Sequence, residues 1–86
     1  PFNPETWIPY QLRESGEVAI RIYSTSGELI RELDLGYRPA GLYVSRDRAA
    51  YWDGKNALGG EVARGVYFYS IHANDFTAVR KMIILK

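Results

Sequence analysis

The sequence predicts an all-β protein, specifically an immunoglobulin-like antiparallel β-sandwich of about seven strands. Three observations predict this fold. Short apolar segments alternate with polar residues at period two, turn residues separate these segments at regular spacing, and no long window shows helical periodicity. The 86 residues suffice for one modest core. We therefore expect residues 1–86 to form one domain, with residues 1–5 as the trailing end of an upstream linker.

The first strand is predicted within residues 6–12, TWIPYQL. Pro9 cannot donate a hydrogen bond to a β-ladder, so this strand is expected at a sheet edge. Its apolar candidates for the core are Trp7, Tyr10 and Leu12.

The next two strands are predicted to form a hairpin around the turn TSGE, residues 25–28. In the first of them, residues 16–23, one buried face is expected to consist of Val18, Ile20 and Ile22. The second runs over residues 29–35, where Ile30 and Leu33 are three apart and cannot share a face of a regular strand. Either a β-bulge intervenes, which we favour, or the inner set is Leu29, Leu33 and Leu35.

A loop is predicted over residues 36–41, GYRPAG, before a charged stretch. Two short apolar segments, residues 42–44 and 49–52, flank Arg46, Asp47 and Arg48. These charges indicate an exposed bend in a long strand or the solvated tip of an inserted hairpin.

The last two strands are predicted over residues 63–72 and 76–85, separated by a tight turn at residues 73–75. In the first of these, both faces carry apolar residues, so we expect a central strand that is covered on each side. One face consists of Tyr67, Tyr69 and Ile71, and the other consists of Val66, Phe68 and Ser70.

The glycine-rich stretch WDGKNALGGE, residues 52–61, is typical of a structural turn. Asp53 and Gly54 form a strong turn dipeptide, and Trp52 is expected to fill the core with one partner for its indole N–H. Asp53, Asn56 and Glu61 are too few and wrongly spaced for a calcium loop. We therefore predict no metal site and no cofactor.

No arrangement of residues predicts catalysis. The single histidine, His72, lies at a strand end, and Glu28 and Glu32 are about 13 Å apart on a strand. The formal net charge is +1 without a long basic run, which argues against nucleic-acid binding, and cysteine is absent. The sequence predicts a protein that is not an enzyme and has no small-molecule substrate.

Four segments in order carry a family resemblance: PFNPET, VAIRIYSTSGELIREL, WDGKNALGGEVARGVYFY and DFTAVRKMIILK. Together they resemble the C-terminal sorting domain of proteins that are exported by the type IX secretion system. The middle portion is equally similar to a sequence relative, the immunoglobulin-like domain of the flagellar hook-capping protein. Between Gly41 and Trp52 the chain is longer than this family usually is, which bears on the local strand pairing.

The resemblance implies a structural motif and a sorting signal. The structural motif comprises Trp52, Asp53, Gly54, Gly65, Tyr67 and Tyr69, where Tyr67 is similar to the tyrosine corner of sandwiches. The sorting signal comprises Lys81, Met82, Ile83, Ile84, Leu85 and Lys86. Because the apolar residues of this tail alternate between both strand faces, either the strand is covered in the domain or one face is kept for a partner that adds a strand.

The implied function is a non-catalytic C-terminal sorting and cell-surface attachment domain. It would be covalently part of a larger exported protein, be recognised by a secretion translocon protein in the outer membrane, and reach the medium or the cell surface through the periplasm. Three alternatives remain. These are a hook-cap-type module that assembles with its own copies, a metal-dependent adhesion module, and a spacer or carbohydrate-binding module with Trp7, Tyr37 and Tyr43 aligned on one face.

Overall fold

Eight antiparallel β-strands form the part of the chain that the computed structural model describes, residues 6–85. The strands are β1 (Thr6–Ile8), β2 (Tyr10–Leu12), β3 (Gly16–Tyr23), β4 (Leu29–Arg38), β5 (Gly41–Tyr43), β6 (Ala50–Trp52), β7 (Gly65–Ala73) and β8 (Phe76–Ile84). The predicted linker, residues 1–5, and Lys86 lie outside the described residues. No helix that is long and apolar enough to cross a membrane occurs among residues 6–85.

The strands form two layers of unequal width. One layer is a four-stranded sheet in the order β4-β3-β7-β8. The other consists of two short ladders, β1 with β6 and β2 with β5, and is therefore two strands wide. The predicted immunoglobulin-like β-sandwich is confirmed. The count is eight strands rather than about seven because Pro9 divides the first predicted strand into β1 and β2.

The core lies between the two layers. The alternation in β3 is confirmed. The odd-numbered residues on one face are more exposed, whereas the inner residues Val18, Ile20 and Ile22 are almost fully buried. Trp52 from the narrow layer is completely buried against them. Burying one such aliphatic side chain contributes about 1.5–3 kcal/mol, so these few residues together contribute a free energy comparable to the whole net stability of a small domain.

The β3–β4 hairpin contains the predicted bulge. Ile22 faces Arg31 and Tyr23 faces Leu29, so Ile30 is the extra residue. A second irregularity follows at Leu35, and Gly36 has a φ of 72°, which favours glycine. The ladder then continues to Arg38. The predicted loop over residues 36–41 is therefore wrong for its first half, because the bulge lets β4 stay paired with β3.

Pro9 lies opposite an excursion of the partner segment, residues 44–49. The ladder pairs Ile8 with Ala50 on one side of Pro9 and Tyr10 with Tyr43 on the other. The extra length between Gly41 and Trp52 thus loops out without disturbing the pairing. This excursion is exposed, as predicted, but its arginines do not simply face water: Arg46 lies 4.0 Å from the ring centroid of Trp7 and Arg48 lies 4.7 Å from that of Tyr43.

The four-stranded sheet has an uncovered outer face, so the prediction that β7 is covered on both sides is wrong. Tyr67 and Ile71 on its inner face are buried, whereas Val66 and Phe68 on its outer face are exposed. The physical reason is that the second layer packs on the inner face only. Strand β7 is nevertheless central, with β3 and β8 as neighbours.

Two tyrosine side chains each form a hydrogen bond with the backbone four residues upstream in the chain. The Tyr67 hydroxyl donates to the carbonyl oxygen of Ala63 at 2.6 Å, and the Tyr43 hydroxyl donates to that of Pro39 at 2.5 Å. Both are buried rings with a polar tip at the surface of the core. The structure therefore contains two tyrosine corners, one in each layer.

Replacing Tyr67 by Phe should lower the free energy of unfolding by about 1 kcal/mol, because one hydrogen bond is lost while the ring is kept. Urea unfolding followed by tryptophan fluorescence measures this change. Tyr37, which is 62% exposed, is the matched control, and Tyr37→Phe should change stability by less than about 0.5 kcal/mol. Equal effects of the two substitutions would contradict the structural role of the Tyr67 corner.

Candidate functional site

The Trp52-Asp53-Gly54 turn is a structural clamp. The indole Nε1 of Trp52 donates to the Lys55 carbonyl oxygen at 2.9 Å, which supplies the one partner that a buried tryptophan needs. Gly54 has a φ of 77°, a value that side-chain-bearing residues rarely adopt. The turn therefore folds back on itself and fixes Trp52 in the core.

A guanidinium from the other layer holds this turn. Arg31 on β4 donates through Nη1 to the Asp53 carboxylate at 2.8 Å and to the Lys55 carbonyl oxygen at 2.9 Å. Burial opposes the charge of Asp53, but the Lys55 N–H and the Arg31 guanidinium outweigh it and hold the pKa of Asp53 below its usual range. Arg31, Asp53 and Lys55 thus connect the two layers.

The rest of the glycine-rich loop satisfies its own backbone. The Asn56 side-chain oxygen accepts from the Leu58 and Gly60 N–H groups, and the Ala57 N–H donates to the Ile30 carbonyl oxygen across to β4. Within residues 6–85 no group of three or more acidic, histidine or cysteine side chains is placed to hold a metal ion. The loop is thus a hydrogen-bonded connection, in which the Asn56 side-chain oxygen and the Lys55 and Gly60 carbonyl oxygens act as acceptors.

The remaining polar and aromatic candidates do not converge. His72 contacts the Ser70 hydroxyl at 2.7 Å on the outer sheet face, next to Thr77. The three aromatics expected to line up for a carbohydrate are separated: Tyr43 is buried, Trp7 is covered by Arg46, and Tyr37 lies on the outer face of β4. The alternative of a carbohydrate-binding module required these three residues to align on one face, and this requirement is not met, because Tyr43 stacks inside the fold on Tyr10.

The predicted sorting signal lies on and just after an edge strand. Strand β8 pairs with β7 alone among the described strands. Met82 and Ile84 turn towards the core, whereas Ile83 and Lys81 face outwards and Leu85 follows the strand. The explanation that the tail strand is covered on both faces is therefore wrong, since the second layer does not extend over the outer face.

Four outward apolar residues of β7 and β8 are exposed on one sheet face, and we call them the outer stripe: Val66, Phe68, Val79 and Ile83. Val66 is directly opposite Ile83 in the ladder, and Phe68 is opposite Lys81. Val79 and Ile83 are 59% and 60% exposed. Large apolar side chains that are grouped on one strand pair indicate a contact surface more strongly than scattered ones do.

A groove of about 620 Å³ lies on the other face of the same two strands. It separates β2 from the β7–β8 hairpin and is lined on one side by residues 9–14. Its other lining residues are Tyr69, Ile71, Ala73, Asn74, Asp75, Phe76, Ala78 and Arg80. No local pattern in the sequence indicates this groove, because it arises from the unequal widths of the two layers.

The layers, the connecting clamp and the tyrosine corners define an immunoglobulin-like domain. The sequence matches the family model of the FlgD Ig-like domain over residues 4–75, and the chain belongs to this family. The matched residues include β1 to β7 and end at the turn before β8. No curated protein sequence matches the chain.

A solved structure has the same fold. The crystal structure of FlgD from P. aeruginosa superposes with a TM-score of 0.73 at 20% sequence identity, covering 93% of this chain and 60% of that chain. The chain thus spans less than two thirds of the length of that FlgD chain. Both matches are to FlgD. The resemblance is therefore confirmed for its immunoglobulin-like, hook-capping part, and neither match points to a type IX sorting domain.

Replacing Arg31 by Met should destabilise the domain by about 1–2 kcal/mol, since it removes a charged hydrogen bond from a partly buried carboxylate. Because the folded-state pKa of Asp53 is lowered, its stabilising contribution is complete above the unfolded-state pKa of about 3.9 and is lost as pH falls through the folded-state value. The difference between wild type and Arg31→Met should therefore shrink from neutral pH to about pH 3 in denaturant unfolding.

Arg21 provides the matched control for this measurement. It forms an equally short ion pair, 2.8 Å to Glu32, but both side chains are more exposed than those of Arg31 and Asp53. Arg21→Met should cost less than about 0.5 kcal/mol. A cost of Arg21→Met as large as that of Arg31→Met would show that the clamp is not a special connection between the layers.

Proposed function

We propose that this chain is a non-catalytic structural module of a longer exported protein and that it assembles with copies of itself, as a hook-cap-type module does, through the outer stripe. Membership of the FlgD Ig-like domain family carries this proposal. The support from the structure is that four exposed apolar side chains lie on one face of two paired strands and that the second layer does not cover them. We place the module outside the cytoplasm, with other copies of the same protein as its partners.

The charges around the outer stripe favour specific contact over aggregation. Lys81 lies inside the stripe, opposite Phe68 and on the edge strand, where a lysine disfavours indiscriminate strand pairing. On the same face, Arg21 and Glu32 form an exposed ion pair on β3 and β4. The stripe therefore combines exposed apolar side chains with one lysine among them and an ion pair beside them, and these charges restrict which surfaces can dock there.

The proposal that the chain is not an enzyme rests on the engagement of its polar side chains. Asp53 is held by Arg31, Glu32 pairs with Arg21, and His72 lies between the Ser70 and Thr77 hydroxyls on the outer sheet face. Within residues 6–85 the hydrogen-bond partners of His72 are hydroxyl groups rather than a carboxylate that would orient it as a base, and neither Ser70 nor His72 lines the groove.

A second candidate function is the sorting and surface attachment of a larger exported protein. One observation favours it: β8 is an edge strand on which Ile83 is exposed, and Leu85, just after the strand, is exposed as well. A translocon protein in the outer membrane could pair with the open edge of β8 by strand addition. In that case the cargo would pass through the periplasm to the surface or the medium.

Self-association through the outer stripe is measurable by sedimentation equilibrium of the 86-residue chain. The double variant Phe68→Ser, Ile83→Ser should raise the dissociation constant at least about tenfold, because it removes two apolar side chains from the contact. Leu58, which is 96% exposed in the glycine-rich loop, provides the control: Leu58→Ser should leave association unchanged. A chain that stays monomeric at the highest soluble concentration, or an equal effect of Leu58→Ser, would argue against the proposed assembly.

The sorting function is tested separately by fusing residues 1–86 to the C-terminus of a fluorescent cargo with a signal peptide, in a host with a type IX system. If the second candidate is right, cargo reaches the surface or the medium, and Ile83→Asp with Leu85→Asp strands it in the periplasm. Because both side chains point away from the core, thermal unfolding should show that this variant still folds. Export that is unaffected by the variant, or no export of the wild-type fusion, excludes this use of the tail.

A further inference from the structure

The groove between β2 and the β7–β8 hairpin has two different kinds of wall. From the β2 side, consecutive residues line it, from Pro9 to Glu14. From β7 and β8, only alternate residues line it: Tyr69, Ile71 and Ala73, and then Phe76, Ala78 and Arg80. Because successive side chains of a strand point to opposite faces, alternate residues mark a sheet face and consecutive residues mark a strand edge. The groove therefore has a sheet face as its floor and the edge of β2 as one side.

We propose that this groove receives an extended segment of a partner protein, which pairs with the open edge of β2 and forms a third strand of the narrow layer. Among the described strands, β2 pairs with β5 on one edge and with none on the other. A strand placed about 4.8 Å from β2 would lie over the inner face of β7 and β8 at the usual separation of packed sheets, about 10 Å. The added strand would supply backbone hydrogen bonds to β2 and cover the floor.

The floor sets the apolar pattern of the segment. Phe76 is on the inner face yet is 55% exposed, because the narrow layer does not reach it. Ile71 and Ala78 are directly opposite each other in the ladder and continue this apolar floor. A segment that alternates apolar and polar residues would place its apolar side chains on these three residues and its polar ones in water.

The charged residues that line the groove determine which end of the bound segment should be acidic and which should be basic. Asp75 in the hairpin turn and Glu14 after β2 lie at one end, where the Asn74 side chain donates to the Ser15 carbonyl oxygen at 3.2 Å. Arg80 lies at the other end of the groove, about 16 Å from Asp75 along the direction of β8. Arg13 beside Glu14 offsets part of the acidic charge, so Arg80 is the stronger determinant. A segment antiparallel to β2 would carry its acidic residue at its C-terminal end and a basic residue at its N-terminal end.

This inference goes beyond the proposed function and does not depend on it. The groove and the outer stripe use opposite faces of β8, with Ala78 in the groove and Val79 in the stripe. A variant can therefore change one surface and leave the other intact.

A peptide titration of the isotope-labelled 86-residue chain tests the groove. The probes are two peptides of about nine residues with alternating valine and threonine, one with an N-terminal lysine and a C-terminal glutamate and the other with these ends exchanged. The first should bind more tightly and shift the amide resonances of residues 10–12 and the methyl resonances of Ile71 and Ala78. The variant Arg80→Glu should reverse the preference between the two peptides.

A matched pair of variants locates the binding. Ala78→Glu should weaken binding of the first peptide at least about tenfold, whereas Val79→Glu, on the opposite face of the same strand, should leave it unchanged. Thermal unfolding checks that both variants fold. If Ala78→Glu does not fold, the peptide preference of Arg80→Glu tests the groove instead, because Arg80 is exposed. The proposal is overturned if neither peptide shifts any resonance or if the shifts centre on Val79. It is also overturned if the resonances of the groove residues shift with the concentration of the chain in the absence of peptide, because the occupant would then be a second copy of the chain.

Discussion

The unequal width of the two layers is the constraint on which the other features of this domain depend. Four paired strands present an inner face that two short ladders cover only in part. The covered part contains the nearly inaccessible side chains of β3 and Trp52. The uncovered part leaves Phe76 half exposed beneath the groove, and β8 is left with an open edge. The core and the candidate contact surfaces therefore result from the same mismatch.

A narrow layer of three-residue strands needs connections other than its own ladders. Strands that short provide few backbone hydrogen bonds, and an isolated two-stranded ladder is at best marginally stable. Arg31 reaches from the wide sheet to the Asp53 turn, the Ala57 N–H bonds to Ile30, and each layer has a tyrosine corner. The glycine-rich stretch is conspicuous in the sequence because it forms this connection between the layers.

The sequence predicted what depends on local pattern and missed what depends on layer width. Val18, Ile20 and Ile22 alternate strictly, so the buried face of β3 could be predicted, and the three-residue spacing of Ile30 and Leu33 identified the bulge. The apolar residues on both faces of β7 predicted a doubly covered strand. That prediction was wrong because the residues of β7 do not determine how many strands the opposite layer has or which face of the sheet that layer covers. The groove was missed for the same reason.

The alternation of side chains gives β8 two independent surfaces within one short segment. Val79 and Ile83 point outwards with the stripe, while Ala78 and Arg80 point into the groove, so neighbouring residues belong to different surfaces. The family match ends before this strand, at residue 75, so membership of the FlgD Ig-like domain family rests on β1 to β7. Within β8 itself, Ile84 belongs to the core and Met82 packs against it, whereas Val79 and Ile83 are exposed on the outer face. Substitutions of the outward residues therefore change one surface of the domain while the core contacts of the same strand stay in place.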